Sequence, residues 1–343
     1  MTVAAAENAI PVAPRSTGEI ITYAVDVLRQ TFPIVVALSL PLCAVDLVLR
    51  ELGQHLLLLA LGRVNDAATP DLALVLSLLP SLAAAIGAAL GSFIVQQLLS
   101  TGVIAVGERV AADQSPTVRD AIARIGGRGA AVVLTGALFL IAALTLPGVA
   151  AAIPLVAGAV AALAFEQPLW IALAGVVGIL AALLVVILVT LRWSLYGVIV
   201  ATEDRWFVAA LRRSAALTAA RGLPLFETPR FRLSVLFLIG LALAGTLQSV
   251  FLVPRLVIAA LTGWSFADGA LPGLAAMPLW FMVPFGLLEV LTNAAILPFS
   301  ALLLCFFTLD LRVRYEGDDL QGRPAPLTAP PPTAAPPTPS SPA

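Results

Sequence analysis

The sequence predicts an all-α, polytopic integral membrane protein: six transmembrane helices arranged as three units, each an elbow helix followed by a helical hairpin. Three observations predict it. Hydrophobic residues make up 60% of the chain and charged residues 11%, with a mean hydropathy of +1.02, far from the roughly 25% charged of a soluble domain. Apolar runs recur that are long enough, at about 20 helical residues, to cross a hydrocarbon core of about 30 Å. The 19 basic residues, all of them Arg, are spread very unevenly among the connections.

The connection from Arg192 to Arg232 fixes the topology. It carries Arg192, Arg205, Arg212, Arg213, Arg221, Arg230 and Arg232, seven of the 19 basic residues. Such connections stay on the cytoplasmic side, because guanidinium groups cross hydrocarbon at high cost and anionic lipid holds them. With this loop inside, only Arg50, Arg63 and Arg255 fall outside, so both termini are expected in the cytoplasm and the chain in the cell membrane. Tryptophan agrees: Trp170, Trp264 and Trp280 fall at outer span ends, and Trp193 and Trp206 at the inner boundary, as an aromatic belt requires.

Residues 1–15 read as a disordered cytoplasmic tail, and no cleaved signal peptide is expected, since no basic segment precedes an apolar one there. Ser16 and Glu19 have the spacing of a capping box. The helix it opens is amphipathic, with Ile20, Ala24, Val27, Leu28 and Thr31 on one face and Thr22, Asp26 and Arg29 on the other. The first span is expected from about Phe32 to Leu49. A linker then runs to Asp71, in which Leu56–Leu61 rests at the outer interface beside His55, the chain's one histidine. The second span lies within Leu72–Gly107, where Ala83, Ala84, Gly87, Ala88 and Gly91 let a neighbouring helix approach closely.

Ser115-Pro116 reads as the start of a second elbow helix, ended by Gly126 and Gly127. The third span follows from about Ala130 to Val149, then an outer turn around Pro147 and Pro154, then the fourth span from about Leu169 to Thr190. In the third elbow Phe207, Ala210, Leu211, Leu217 and Thr218 form one arc, Arg205 and Arg212 lie opposite, and Arg213 sits at the flank, placed to snorkel. The fifth span covers about Leu233–Val253, and the sixth lies within Phe281–Phe307. The transmembrane domain is therefore 16–316, followed by a Pro-rich disordered cytoplasmic tail at 317–343 that cannot bury a core.

Two stretches carry a family resemblance. Residues 198–218 contain Ala-Leu-Arg-Arg-Ser followed by Leu-Thr, and Leu309–Gly317 shows Asp-Leu-Arg-x-Arg-x-Glu-Gly. Together they resemble the glycerophosphoryl diester phosphodiesterase membrane-domain family, with Thr308-Leu309 standing where its members often show paired Tyr. In layout the resemblance extends over about residues 16–320. Some members carry a soluble phosphodiesterase domain after the membrane part. The Pro-rich segment here leaves no expectation of such a barrel, so the resemblance implies a membrane role without that activity.

The residues themselves point away from an enzyme. Phosphodiester hydrolysis needs a general base and clustered His, Asp or Glu, usually around a metal. With one His, no Lys for a phosphate loop and no acidic cluster, no catalytic residue, metal site or cofactor is expected. Cys43 and Cys305 lie within apolar runs at spacing that suits neither metal nor redox chemistry. The candidate site is instead the polar residues inside the spans: Glu289 and Asn293 on one face of the sixth, Asp46 in the first, Gln248 in the fifth, and Gln96 and Gln97 in the second. Glu289 is expected to pair with Arg255 or to hydrogen-bond Asn293. Arg205, Arg212 and Arg213 are the candidate lipid-headgroup contacts, each contributing about 1 kcal/mol near an anionic surface. The expected partners are membrane lipids and a further membrane protein, with no nucleic acid. Two functions fit: a scaffold or accessory subunit of an envelope or lipid-related process, and a small-molecule or lipid transporter or channel using the polar cluster around Glu289. The topology makes a direct prediction. A fluorescent protein fused after Ala343 should fluoresce in cells while alkaline phosphatase fused at the same point stays inactive; the reverse pattern overturns the assignment.

Overall fold

A computed structural model describes residues 15–316 apart from 67–71, 168, 220–223 and 262–278. The expected tails at 1–14 and 317–343 lie outside the described residues. Among those described, the chain is helical without strands: α1 (Thr17–Gln30), α2 (Phe32–Asp66), α3 (Leu72–Ala111), α4 (Val118–Phe165), α5 (Leu169–Trp193), α6 (Tyr196–Thr202), α7 (Phe207–Thr218), a short 3-10 turn (Leu225–Glu227), α8 (Pro229–Leu261) and α9 (Leu279–Glu316). Six segments are long and apolar enough to cross a membrane. The chain is an all-α polytopic membrane protein.

The first elbow forms as its sequence dictates. Ser16 Oγ accepts from the Glu19 amide while the Glu19 carboxylate accepts from the Ser16 amide, which satisfies two otherwise orphan donors. These hydrogen bonds from Ser16 hold the Glu19 carboxyl below its ordinary pKa. Ile20, Ala24 and Val27 are buried, and Tyr23 meets Phe306 of α9 edge-on at 4.7 Å between ring centroids. Thr31 ends the helix, its amide donating to Val27 O at 2.9 Å, before α2 departs.

Three expected boundaries are corrected. The first span does not stop near Leu49: α2 continues as one helix to Asp66, absorbing residues 50–66 of the expected linker, Leu56–Leu61 among them. The second elbow is not a separate helix. α4 runs 48 residues through Gly126 and Gly127 and on through Pro147 and Pro154, with no outer turn at either proline. Its cap is Thr117 rather than Ser115, in a capping box with Asp120. The turn instead lies at Glu166, which takes a left-handed backbone conformation at φ 53°. At Pro147 and Pro154 the physical reason is solvent: hydrocarbon offers an opened backbone no substitute partners, so the helix persists. Gly126 and Gly127, flanked by the paired Arg124 and Arg128, cost about 1 kcal/mol each, too little to end the helix. The third elbow forms as expected, as α7, with the short α6 and Glu203–Trp206 ahead of it. A separate elbow helix therefore precedes the first and fifth spans but not the third.

α9 is the central helix. Of its apolar window 67% is buried, against 11–28% for the other spans. It packs on α1, α2, α3 and α8, and a Cβ added at Gly107 of α3 would meet Leu302 at 2.9 Å. The main core joins α9 to Val35, Leu99, Val103, Ile199 and Leu233. It gathers toward the end of the bundle where α1 begins and α9 finishes, called here the charged end. Cys43 and Cys305 are buried free thiols.

α4 and α5 form a hairpin that turns at Glu166, with large apolar side chains such as Leu163, Leu169 and Ile179 on its outside. Small residues bring the two backbones together. A Cβ on Gly158 would lie 2.2 Å from Ala174 Cβ and 2.8 Å from the Trp170 carbonyl oxygen, whereas one on Gly175 would meet nothing within 4 Å. Gly158→Leu should therefore destabilise the protein by about 1–3 kcal/mol, and Gly175→Ala should leave it unchanged. Thermal unfolding in detergent measures both, and equal midpoints would refute the contact.

Candidate functional site

The polar residues expected inside the spans do converge where α2, α3 and α9 meet. Asp46 and Arg50 lie one turn apart on α2, Ser92 and Gln96 one turn apart on α3, and Glu289 and Asn293 one turn apart on α9. Glu289, 3% exposed, forms a salt bridge with Arg50. Asp46, 4% exposed, accepts from Ser92 Oγ and, at 3.2 Å, from Gln96 Nε2. Ser39 Oγ donates to the Ala294 carbonyl at 3.0 Å, fixing α2 against α9 further toward the charged end. On an adjacent face of α3, Gln97 Oε1 accepts from the Tyr196 hydroxyl at 2.9 Å.

The geometry gives Glu289 a partner that was not expected, Arg50, 239 residues away in sequence. The expected pairing with Arg255 falls outside the described residues, since the side chain of Arg255 is not among them. Asn293 is half-buried on the same helix. Gln248 belongs to α8, and its side chain also lies outside the described residues. Of the four residues singled out, Glu289 and Asp46 thus enter one cluster with Asn293 beside it.

Arg50 is the outer member of the cluster. Its side chain is 39% exposed, against 4% for Glu289, and its Nε is buried without a hydrogen-bond partner. It borders a groove of about 460 Å³ between α2 and α3, whose walls are Leu49, Leu57, Leu82, Ile86 and Ala89, with Gln54 and Ser92 also on its lining. Neither carboxylate lines it. The group offered to this apolar groove is therefore a guanidinium, held from behind by Glu289, together with one amide and one hydroxyl.

A second set of charges lies at the charged end. The Asp310 carboxylate accepts from the Arg15 amide at 2.7 Å, Arg232 Nη1 at 2.8 Å and Arg314 Nε at 2.9 Å. Both guanidinium groups also donate to the Arg15 carbonyl. Arg15 stacks its own guanidinium 4.0 Å from the centre of the Tyr23 ring. This clasp joins α1, α8 and α9. Asp310 and Arg314 were visible in the sequence only as members of a motif, and Arg232 only as one charge in a basic loop. The one available signal was an acidic residue between apolar and basic runs at the end of the last span.

The candidate headgroup residues divide. Arg205 and Arg213 both reach Glu203, at 3.4 and 3.3 Å. The flank position expected to let Arg213 snorkel is thus spent on an ion pair. Arg212 is exposed. Nearby, Arg124 pairs with Glu108 at 2.7 Å and also donates to the Ala201 carbonyl.

Asp310→Asn should be strongly destabilising, because it leaves Arg232, with only 7% of its side chain exposed, facing a neutral group. The expected loss is about 3–5 kcal/mol. Hydrogen exchange across residues 16–30 should accelerate while the α4–α5 hairpin is unaffected. Unchanged exchange in α1 would show that the clasp does not hold it. No protein-family model, no curated protein and no solved structure matches this chain, so its site is read from its own residues.

Proposed function

We propose that this integral membrane protein is non-enzymatic and binds a membrane amphiphile in the lateral groove between α2 and α3, as a lipid-handling carrier or channel. One observation carries the reading: a partly exposed guanidinium, backed by a buried carboxylate, stands beside an apolar groove of about 460 Å³. That size falls within the usual range for ligand pockets. A chain of CH₂ groups suits Leu57, Leu82 and Ile86. A phosphate or carboxylate head suits Arg50, which pairs well with oxyanions. Glu289 competes for the same guanidinium, so ligand capture and release exchange one anionic partner for another. The basic charged end supports a cytoplasmic placement of the termini in the cell membrane, and the motif resemblance belongs to the same lipid-related reading.

The second reading, a scaffold or accessory subunit, is favoured by a different observation: Glu289 and Asp310 each tie together helices far apart in sequence. Native mass spectrometry of gently extracted protein separates the two. On the lipid reading, wild type carries a defined anionic lipid, Arg50→Gln loses it, and Glu289→Gln retains it as well or better, at the cost of lower thermal stability. Because Arg50 is more than a third exposed, that cost should stay below the about 3–5 kcal/mol of a fully buried pair. A stoichiometric protein partner, with lipid content indifferent to Arg50→Gln, would establish the scaffold instead.

A further inference from the structure

The backbone between α6 and α7 is held in an unusual conformation. Phe207 has φ 51°, in the left-handed region where a bulky aromatic residue is a genuine outlier. Such conformations persist where the surroundings impose them, and they cluster at functional positions. Here the Phe207 amide donates at 2.9 Å to Thr135 Oγ1, a fully buried group on α4. The result is an aromatic pair carried on the outside. Trp206 and Phe207 stack with ring centroids 4.8 Å apart. Trp206 is 54% exposed, and Val208 beside it is exposed as well.

The level at which this pair emerges is set by hydrogen bonds. Ser214 Oγ donates to the Arg192 carbonyl at 3.0 Å and accepts from the Leu195 amide at 3.3 Å. Thr218 Oγ1 also reaches the Arg192 carbonyl, at 3.4 Å. Arg192 is the first charged residue after the uncharged apolar run 169–191 of α5. α7 is thereby fastened at the place where the hydrocarbon-compatible part of α5 ends. Its inward face, including Ala210, Leu211 and Leu217, is already buried against the bundle. The exposed Trp206, Phe207 and Val208 therefore need a covering that is neither the bundle nor water.

We infer that Trp206, Phe207 and Val208 form an interfacial wedge that inserts into the headgroup layer of the membrane on the side α7 occupies. Aromatic side chains favour that layer, where an apolar ring body and a polar indole N–H are both accommodated. Charge fits the same occupant. Arg205 and Arg213 share Glu203, Asp204 is taken by Arg128 at 2.6 Å, and Arg212 remains exposed on α7. The local balance is positive and suits anionic lipid. The wedge rests on the membrane-spanning fold and is independent of the groove between α2 and α3.

The test uses the full chain in bilayer discs of phosphatidylcholine and phosphatidylglycerol. Emission from Trp206 is the difference between wild type and Trp206→Phe, which leaves the other four tryptophans of the sequence in place. Lipid brominated near the carbonyl end of its acyl chains should reduce that emission by about twofold, and aqueous acrylamide should quench it poorly. Arg212→Gln should remove the further gain seen when the phosphatidylglycerol share is raised. Trp206 emission that is indifferent to brominated lipid overturns the wedge, whether acrylamide reaches the ring because it faces water or fails to because a protein partner covers it. If Trp206→Phe does not fold, hydrogen exchange of residues 203–209 in wild type decides the matter: slower exchange in discs than in detergent supports the wedge, and equal exchange overturns it.

Discussion

The Asp310 carboxylate is the constraint on which the charged end of this protein depends. Burying an ionised carboxylate costs several kcal/mol, and the cost is offset only when charges and hydrogen bonds converge on it. Here they come from three directions: Arg232 from the first turn of α8, Arg314 from the last turns of α9, and the Arg15 amide just ahead of α1. Arg232 also lies 5.4 Å from the centre of the Phe307 ring, so the cation is covered by the central helix. No member can move alone without leaving another charge buried and unmatched. The core around Val35, Leu99, Leu302 and Phe307 closes against elements that this cluster has already brought together.

The same logic operates at membrane depth with fewer groups. The Arg50–Glu289 pair and the Asp46–Ser92–Gln96 hydrogen bonds tie α2 to α9 and α2 to α3. Hydrocarbon offers no water to satisfy these groups, so they either find one another or remain costly. Among the described residues, the α4–α5 hairpin shows no comparable fastener. It is held by close backbone approach at Gly158 and Gly178, where dispersion and small side chains suffice. The bundle around α9 is thus organised by charge and the α4–α5 hairpin by shape.

Much of this was legible in the chain. The six spans follow from runs of apolar residues, and the Ser16–Glu19 box and the buried face of α1 follow from local spacing. Of the arc expected on α7, Ala210, Leu211, Leu217 and Thr218 are buried, because a helical wheel needs no knowledge of the partner. Phe207 at its first position is exposed, its backbone left-handed rather than helical. Breaker residues misled where they were read by rules learned from water. Pro147 and Pro154 would punctuate a soluble helix, yet α4 passes through both, and through Gly126 and Gly127 before them. The pairing of Arg50 with Glu289 was beyond reach for a different reason: the two lie 239 residues apart, and only the packing of α2 on α9 brings them together. The Asp310 cluster was hidden because its third donor is a backbone amide, which has no signature in sequence.

The length of α4 has a consequence for the surrounding bilayer. Its uncharged stretch from Gly129 to Phe165 extends about 55 Å at 1.5 Å per residue, well beyond a hydrocarbon thickness of about 30 Å. Such hydrophobic mismatch is relieved by tilting the hairpin or by thickening the lipid around it, each at a fraction of a kcal/mol per Å. Whatever part of the excess tilt does not absorb falls on the lipid adjoining α4 and α5 as elastic deformation, and thicker or more readily stretched regions of membrane reduce that part.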